Sequence, residues 1–375
     1  MDANERFKLI TQHTEEVLVP EELQELLKKE VPLKHYIGFE ISGKVHLGTG
    51  LMTGMKIADF QKAGVHCTCY LATWHAWINN KLGGDLDTIR TAAAFFGEVL
   101  KASIDVMGGD SSKVTFITGD ELYHHNDDFW ERTIDIAKHT TLSRALRSIS
   151  VLGREEGDNV PLAFLFYPAM QAADIFALGV NIAHAGIDQR KAHVIAREAA
   201  LKIRKPLSHK GVQYKPIAIH HPLLAGLQKP AVWPLPAGQE SEVWAQSMKM
   251  SKSVQGSAVF VLDTPEEIRK KVSNAFCPEG ETVYNPIMNW VRTLLFAKAG
   301  YILRIDRPQK FGGPLEFDSY AELEDAVKQR SLHPMDLKKA VGEALVELLA
   351  PVRAKFEHGK MKEMKEAFDK IAVTR

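Results

Sequence analysis

Cysteine is almost missing from this sequence: Cys67, Cys69 and Cys277 are the only three in 375 residues. So odd and sparse a set argues against a disulfide framework and suits a reducing compartment. Long apolar runs are missing too, since no stretch approaches the roughly 18 residues needed to span a bilayer; a membrane protein is not expected. The opening Met1-Asp2-Ala3-Asn4-Glu5-Arg6 is acidic and polar where a secretory signal carries a basic and then an apolar region, so the expected location is the cytoplasm. There is no excess of either charge, with 47 basic against 47 acidic residues. Bulk composition therefore gives no footprint for nucleic acid, no DNA partner is expected, and any RNA site must be a local patch. Zinc-ligand spacing is absent as well. Cys67 and Cys69 alternate on one face of a strand-like run with His66 opposite, and no second pair follows, so they read as buried thiols and no structural metal is expected. His124-His125 with Asp127-Asp128 reads as a solvated turn, and no internal repeat or low-complexity tract occurs.

What is present is an alternation. The length favours one large α/β domain plus a smaller one. Residues 7 to 30 read as helical, with Pro20-Glu21-Glu22 starting a second segment whose Leu23, Leu26 and Leu27 recur at helical spacing. Strand-like runs at 36–41, 65–72 and 114–117 alternate with helical runs at about 46–63 and 85–107. Helical stretches at 134–152 and 167–178 and strands at 180–184 and 216–220 follow. Strand, helix, strand, helix is the signature of parallel crossover units, hence a Rossmann-type sheet. A loop with Pro230, Pro234, Pro236 and Gly238 blocks regular structure over 225–240. Asp263-Thr264-Pro265-Glu266-Glu267 then supplies a polar cap, a Pro at the first helical position and acidic residues in the first turn. The expected division is 1–260, a parallel-sheet catalytic domain with a connective insertion, and 261–375, a smaller and mostly α-helical domain.

Two segments carry chemistry. His46-Leu47-Gly48-Thr49 sits where a strand and a Gly turn feed a helix start, whose free N–H groups and positive dipole end face an anion. Gly48 puts no side chain between backbone and a flat base, while His46 and Thr49 can donate to phosphate oxygens. Alone, such a segment reads equally well as an ordinary cap. Lys249-Met250-Ser251-Lys252-Ser253 sets two ammonium groups three residues apart with hydroxyls beside them, a cationic clamp suited to pyrophosphate. Most Lys/Ser runs are solvated loops, yet a specified pentapeptide arises by chance in roughly one chain in ten thousand of this length, which favours the functional reading.

Together, about two hundred residues apart, these segments resemble the signature pair of the class I aminoacyl-tRNA synthetases. In that family the first motif usually ends in His; Thr49 stands there in this sequence and offers a hydroxyl donor instead. The resemblance sharpens, over most of the chain, to tyrosyl-tRNA synthetases of the archaeal and eukaryotic type. It is carried by Tyr36-Ile37-Gly38-Phe39-Glu40, Tyr167-Pro168-Ala169-Met170-Gln171, Asp174-Ile175, Gly186-Ile187-Asp188-Gln189-Arg190-Lys191, Lys310-Phe311-Gly312-Gly313 and Leu332-His333-Pro334-Met335-Asp336-Leu337-Lys338. The resemblance implies that Tyr36 and Asp174 hold a substrate phenol hydroxyl. It implies that Tyr167, Gln171 and Gln189, with Glu40, hold the amino-acid end. Gly38, His46, Gly48, Asp188 and Lys249 through Ser253 would bind ATP, with Asp188 on the ribose. Catalytic roles fall to His46, Thr49, Lys249 and Lys252.

The residues support part of this independently. Tyr167, Gln171 and Asp174 fall on one face of a helix and would line one wall, although an amphipathic surface helix has the same pattern. A phenol needs a buried donor and acceptor, and leaving those unpaired is what rejects phenylalanine. Tyrosyl enzymes are themselves the standing example, with discrimination of about 10⁵ and no editing step. A tryptophanyl enzyme is the alternative within the class, and a non-catalytic, synthetase-derived RNA-binding protein the alternative outside it. Tyr36 with Asp174 argues against the first, and the presence of both motifs argues against the second. The family usually carries Asp where Thr73 stands. His75 reads as a core or surface histidine that could also approach the pocket. The resemblance implies tyrosine, ATP with Mg2+ held mainly by phosphates, and tRNA(Tyr) as partners, and a homodimer. The acceptor stem is expected at Arg190 and Lys191, with Arg147 beside them, and the anticodon at Phe311 and Asp336. Intramolecular pairing for Arg190 and Lys191, a turn anchor for Phe311 and a helix cap for Asp336 are the plainer readings.

Overall fold

The computed structural model describes residues 1–153, 161–247 and 256–371. Its centre is a six-stranded sheet formed by β1 (Glu16–Val17), β2 (Lys34–Glu40), β3 (His66–Ala72), β4 (Val114–Thr118), β5 (Ile182–Gly186) and, after a small hairpin of β6 (Ser208–His209) and β7 (Val212–Gln213), β8 (Ile217–His221). The strand order is β1-β8-β5-β2-β3-β4. All neighbours run parallel except the edge pair β1 and β8, where Glu16 lies opposite His220. Parallel strands are covered on both faces and therefore read as nearly continuous buried runs. β5 and β8 fit, with every residue of β8 buried.

The helices are α1 (Ala3–Thr11), α2 (Pro20–Lys28), α3 (Thr53–Lys62), α4 (Thr73–Ile78), α5 (Leu86–Val106), α6 (Gly119–Tyr123), α7 (Asp127–Lys138), α8 (Leu142–Ser148), α9 (Ala163–Ala177), α10 (Arg190–Ala199) and α11 (Glu240–Ser247). Helix α3 carries the chain from β2 to β3, and α5 from β3 to β4; both pack on one face of the sheet. On the other face α9 leads into β5 and α10 leads out of it. The direction of winding reverses between β2 and β5, and the crevice at the carboxyl ends of those strands is where open α/β sheets bind ligands.

Several expected boundaries shift for identifiable reasons. Residues 7–30 are not continuously helical: α1 ends at Thr11, and the two-residue strand β1 joins the sheet before Pro20 opens α2. The stretch 134–152 is broken at His139-Thr140, where the Thr141 side chain accepts from the Arg144 N–H and starts α8 afresh. At residues 264–267 the capping box forms as the sequence suggests, Thr264 and Glu267 exchanging bonds at the start of α12 (Pro265–Ser273). Beyond it come α13 (Pro286–Trp290), a two-stranded ribbon of β9 (Leu303–Ile305) and β10 (Leu315–Phe317), α14 (Tyr320–Lys328), α15 (Pro334–Lys355) and α16 (Gly359–Asp369). The region is mostly helical, with the ribbon an addition.

Hydrophobic packing runs straight through residue 260. One cluster extends from Ile10 and Leu23 through Phe60 and Phe96 to Leu345 and Phe368. Phe95 of α5 stacks on Phe368 of α16 at 4.7 Å between centroids. A second cluster, including Tyr36, Tyr70, Tyr123 and Ile175, fills the opposite face. At the start of the chain, the fully buried Lys56 ammonium donates to the carbonyls of Leu9, Ile10 and Gln12 and lies 3.6 Å from Asp59. Burial pushes its pKa down to about 8, with Asp59 opposing.

Candidate active site

Two cavities, about 310 Å³ and about 180 Å³, open at the carboxyl ends of β2, β5 and β8 and share Gly38, Phe39, His46, Thr49, Asp188 and Gln189 in their walls. They form one crevice with two arms. The larger arm adds Tyr36, Glu40, Tyr70, His75, Tyr167, Gln171 and Asp174. The smaller adds Gly48, Gly186 and His221. Residues read from separate motifs thus line one continuous space.

At the blind end of the larger arm lies a buried polar chain. The Tyr70 hydroxyl donates to the Tyr123 hydroxyl at 2.6 Å, and Tyr123 donates to Asp174 Oδ1 at 2.7 Å. Asp174 Oδ2 is buried and has no partner among the described residues. Burial pushes the Asp174 carboxyl well above the ordinary range, and the Tyr123 bond works against that shift. A buried acceptor left unpaired costs roughly 1–3 kcal/mol, so this oxygen favours a ligand that brings a donor. His75 Nε2 stands 3.9 Å from it, but burial lowers His75 to about 3. The imidazole is neutral and the contact is not an ion pair. Tyr36 lines the same arm and its phenol feels the Asp174 charge; a Cβ on Gly38 would sit 3.4 Å from its hydroxyl. A side chain at position 38 would thus crowd the phenol end.

Toward the mouth the groups change character. Glu40 is held by Asn79 at 2.8 Å and by Lys81 at 3.5 Å, with the Tyr167 hydroxyl at 3.4 Å. Gln171 donates to Gln189 at 3.3 Å, while its own carbonyl oxygen is buried with no partner among the described residues. Acceptors of this kind in the same arm as Asp174 suit the ammonium group of an amino acid.

In the smaller arm, His46 and Thr49 are bonded to each other. The Thr49 N–H donates to His46 Nδ1 at 3.2 Å, and His46 Nε2 lies 3.0 Å from Thr49 Oγ1. Because Nδ1 accepts, the ring proton sits on Nε2 and is given to Thr49 Oγ1, whose own hydroxyl hydrogen is then aimed elsewhere. Gly48 is needed here, since a Cβ would lie 3.1 Å from the His46 ring. Residues 248–255, including Lys249, Met250, Ser251, Lys252 and Ser253, lie outside the described residues. The chain just after them is anchored on the first motif: Leu47 N–H donates to Val259 at 3.1 Å, Val261 N–H to Val45 at 2.9 Å, and His46 bridges Phe260. This pairing brings the flank of the second motif against the first.

Arg190 and Lys191 begin α10 at the rim, both exposed. Each also has a local partner, the Arg190 Nε–H bonding both Glu16 oxygens at 3.0 and 2.9 Å and Lys191 reaching Ser150 Oγ and the carbonyl of the exposed Arg147. Farther away, Phe311 is exposed under the Lys310 ammonium and anchors no core. Asp336 does not cap its helix, because α15 starts at Pro334 and the His333 side chain accepts from the Met335 N–H. Arg307 ties the two loops together, donating to Gly313 and to Ser331.

Sequence reasoning missed Tyr70 and Tyr123 and leaned against His75 as a wall of the pocket. Their only signal is that the segments carrying them end or follow β3 and β4 at the crevice. Thr73 is buried, its hydroxyl without a partner among the described residues and close against Gly119. A larger cavity of about 430 Å³ lies under α2 and the β6–β7 hairpin. Two of its carboxylates, Glu22 and Glu25, already pair with Arg197 and Lys29, and it is remote from the strand ends, so the site is placed in the smaller crevice.

Comparison with known proteins agrees with this geometry. The family described as tRNA synthetases class I (W and Y) matches residues 28–350. A tyrosine-tRNA ligase of Thermococcus sibiricus is 51% identical over the whole of both chains, and one of Pyrococcus abyssi is 51% identical over 95% of this chain and 96% of its own. The crystal structure of a tyrosyl-tRNA synthetase complexed with L-tyrosine from Pyrococcus horikoshii superposes with a TM-score of 0.94 at 51% identity, covering 98% of this chain and all of the other. A tryptophanyl-tRNA synthetase of Plasmodium falciparum, 18% identical with a TM-score of 0.66, shares the fold. With about half its residues identical to several archaeal tyrosine enzymes over the full length, and a crevice lined by the first motif together with Tyr36, Tyr167, Gln171, Asp174 and Asp188, this chain belongs to the class I tyrosyl-tRNA synthetases of the archaeal and eukaryotic type.

Proposed function

We infer that this chain activates L-tyrosine with ATP and transfers the tyrosyl group to the terminal adenosine of tRNA(Tyr). The observation that carries the substrate assignment is the buried Asp174 Oδ2, with no partner among the described residues, in the arm that Tyr36 also lines. A phenol hydroxyl donates to the first and accepts from the second, whereas an indole offers a single donor. Gln171, Gln189, Tyr167 and Glu40 would then hold the ammonium and carboxylate end, which places the carboxylate toward the smaller arm.

The reaction has two displacements. The tyrosine carboxylate attacks the α-phosphorus of ATP, the bond to the bridging oxygen breaks and pyrophosphate leaves. A ribose hydroxyl of the tRNA terminus then attacks the tyrosyl carbonyl, and AMP leaves. No side-chain nucleophile is needed, so catalysis rests on alignment and on stabilising phosphate charge. Asp188 would take the ribose and Gly38 and Gly48 would admit the base and phosphates. Thr49, its hydroxyl oxygen already accepting from His46, would donate to a phosphate oxygen. Lys249 and Lys252 would neutralise the departing pyrophosphate, supported by the anchoring of residues 259–261 on the first motif. Mg2+ would arrive with ATP, bound chiefly by phosphate oxygens.

Exposed Arg190, Lys191 and Arg147 beside the crevice would meet the acceptor stem, and the 261–375 region would read the anticodon through Phe311 and Asp336. A carboxylate can accept from the N1–H and amine of guanine while an aromatic ring stacks on an unpaired base. Exposed Ile134, Leu142, Leu162 and Phe166, on and beside α7–α9, support a homodimer through this face, and the need for ATP and tRNA supports a cytoplasmic location. The test is exchange of labelled pyrophosphate into ATP with each amino acid in turn. Tyrosine alone should drive it strongly; stronger exchange with tryptophan, or none, refutes the assignment.

A further inference from the structure

Three histidines form a ladder across neighbouring strands beneath the nucleotide arm. His35 of β2, His184 of β5 and His221 of β8 are all buried. His35 Nε2 lies 3.1 Å from His184 Nδ1, and His184 Nε2 lies 2.8 Å from His221 Nδ1. Every ring is neutral, because burial lowers His35 to about 3, His221 to about 4 and His184 well below the ordinary value. A neutral imidazole has one N–H and one lone pair. His184 must therefore donate in one contact and accept in the other, so all three protons point the same way along the ladder.

Two directions are possible, and the surroundings choose between them. Protons running toward β2 would leave an N–H on His35 Nδ1, a buried atom with no partner among the described residues, with the Lys56 charge acting on the same ring. They would also turn the lone pair of His221 Nε2 toward the crevice, where Asp188 acts on it. Protons running toward β8 leave a lone pair on His35, favoured by the Lys56 charge, and an N–H on His221 Nε2. A buried orphan N–H is the rarer and costlier outcome, and two acceptors facing each other repel. The second direction wins. His221 Nε2 and Asp188 Oδ1 share the space beside Gly186: a Cβ there would lie 3.6 Å from the first and 2.7 Å from the second.

We propose that His221 is a positioning residue for the nucleotide, its proton fixed on Nε2 by the His35–His184 ladder so that it steers the Asp188 carboxylate into the orientation that accepts from the ribose. The inference rests on the reading that Asp188 meets the ribose, and the experiment separates the two. Tyrosine-dependent pyrophosphate exchange is measured on the full chain with ATP and with 2′-deoxy-ATP, for the parent, His221→Phe, His221→Gln, His184→Leu and Asp188→Asn, with a thermal melt of each. His221→Phe should raise KM for ATP about tenfold, as expected for loss of a bond to a charged group, leave KM for tyrosine within twofold, and erode the preference for ATP over 2′-deoxy-ATP. His221→Gln, whose amide nitrogen reaches the Nε2 position, should restore most of both. His184→Leu should weaken ATP severalfold with tyrosine unaffected.

If Asp188→Asn changes KM for ATP and the ribose preference while folded His221 and His184 variants change neither, the ladder has no positioning role and the ribose reading stands. If Asp188→Asn changes neither, the ribose reading falls and takes the proposal with it. Tyrosine and ATP constants moving together with the melting temperature would show packing alone and also overturn it. Should His221→Phe not fold, the Gln and His184 variants are judged by the same criteria.

Discussion

Replacing Asp174 by Asn tests the phenol reading with least damage to the fold. Asn has the same shape, and its Oδ1 keeps the 2.7 Å bond from Tyr123, so the Tyr70–Tyr123 chain stays satisfied. What changes is the buried Oδ2, which becomes an NH2 group. Burial raises the Asp174 carboxyl and hydrogen-bond donors oppose that shift, so a bound phenol donor favours the ionised form; a hydrogen bond to an ionised group contributes about 1.5–3 kcal/mol and a neutral one about 0.5–1.5. Tyrosine should therefore lose about 1–1.5 kcal/mol, roughly a five- to twelvefold rise in KM. Phenylalanine, which leaves this position unpaired in either protein, should gain about 1 kcal/mol, because an orphaned amide is less costly to bury than an orphaned carboxylate. The ratio of kcat/KM for tyrosine over phenylalanine should fall by about 30- to 70-fold. The assay is pyrophosphate exchange with each amino acid, alongside a melt showing the variant folded. An unchanged ratio in a folded variant would mean that Asp174 does not read the hydroxyl, and the tyrosine arm would have to be reassigned.

Acid stability follows from the buried imidazoles. His35, His75 and His193 are lowered to about 3 and His221 to about 4, each by burial, while the unfolded chain titrates near 6.5. Between about pH 6.5 and 4 the unfolded state binds protons that the folded state does not, so stability rises with pH across that window and is lost on acidification, by up to about 1.4 kcal/mol per pH unit for each ring. Denaturant midpoints at pH 7.5, 6.5 and 5.5 should show the loss already under way at 5.5; a flat response contradicts the neutral rings. Arg190→Ala should slow tRNA charging much more than tyrosyl-adenylate formation, and equal slowing of both steps argues that Arg190 serves only to hold Glu16. Asp336→Ala should spare pyrophosphate exchange and narrow the gap between tRNAs that differ at the first anticodon base. Because His333 caps α15, the variant should lose only a dipole contribution of about 0.3–1 kcal/mol, and discrimination equal to the parent's would remove Asp336 from the anticodon site.

Local periodicity is what made the fold readable. The parallel strands announce themselves as short apolar runs, and helix α9 sets Tyr167, Gln171 and Asp174 on one face because its period is 3.6 residues. The elements that escaped are those whose stability is wholly tertiary. β1 has two residues and exists because β8 offers an open edge, and the β9–β10 ribbon has three residues a side. The site divides the same way. Residues in contiguous motifs were found, but Tyr123 lies 51 residues from the carboxylate it holds, and its tie to Asp174 is set by packing across two elements. His35, His184 and His221 sit in runs that read simply as buried strand, and only the register of β2, β5 and β8 turns them into neighbours.

Lys56 has a consequence for where this polypeptide tolerates being shortened. Its ammonium group is solvated by main-chain oxygens of residues 9, 10 and 12 in place of water, while Asp59 is shared among Lys56, Gln12 and His13. The first helix is thus a removable hydration shell for a cation at the heart of the sheet packing. Trimming the chain before residue 14 would strand that cation at a cost of several kcal/mol, although no residue of the crevice is touched. A Lys56→Met exchange should hurt the intact protein, which would keep three carbonyls pointing at a thioether, yet soften the damage of the trimmed one. The start of this chain, which lines neither arm of the crevice, is in that sense internal solvent.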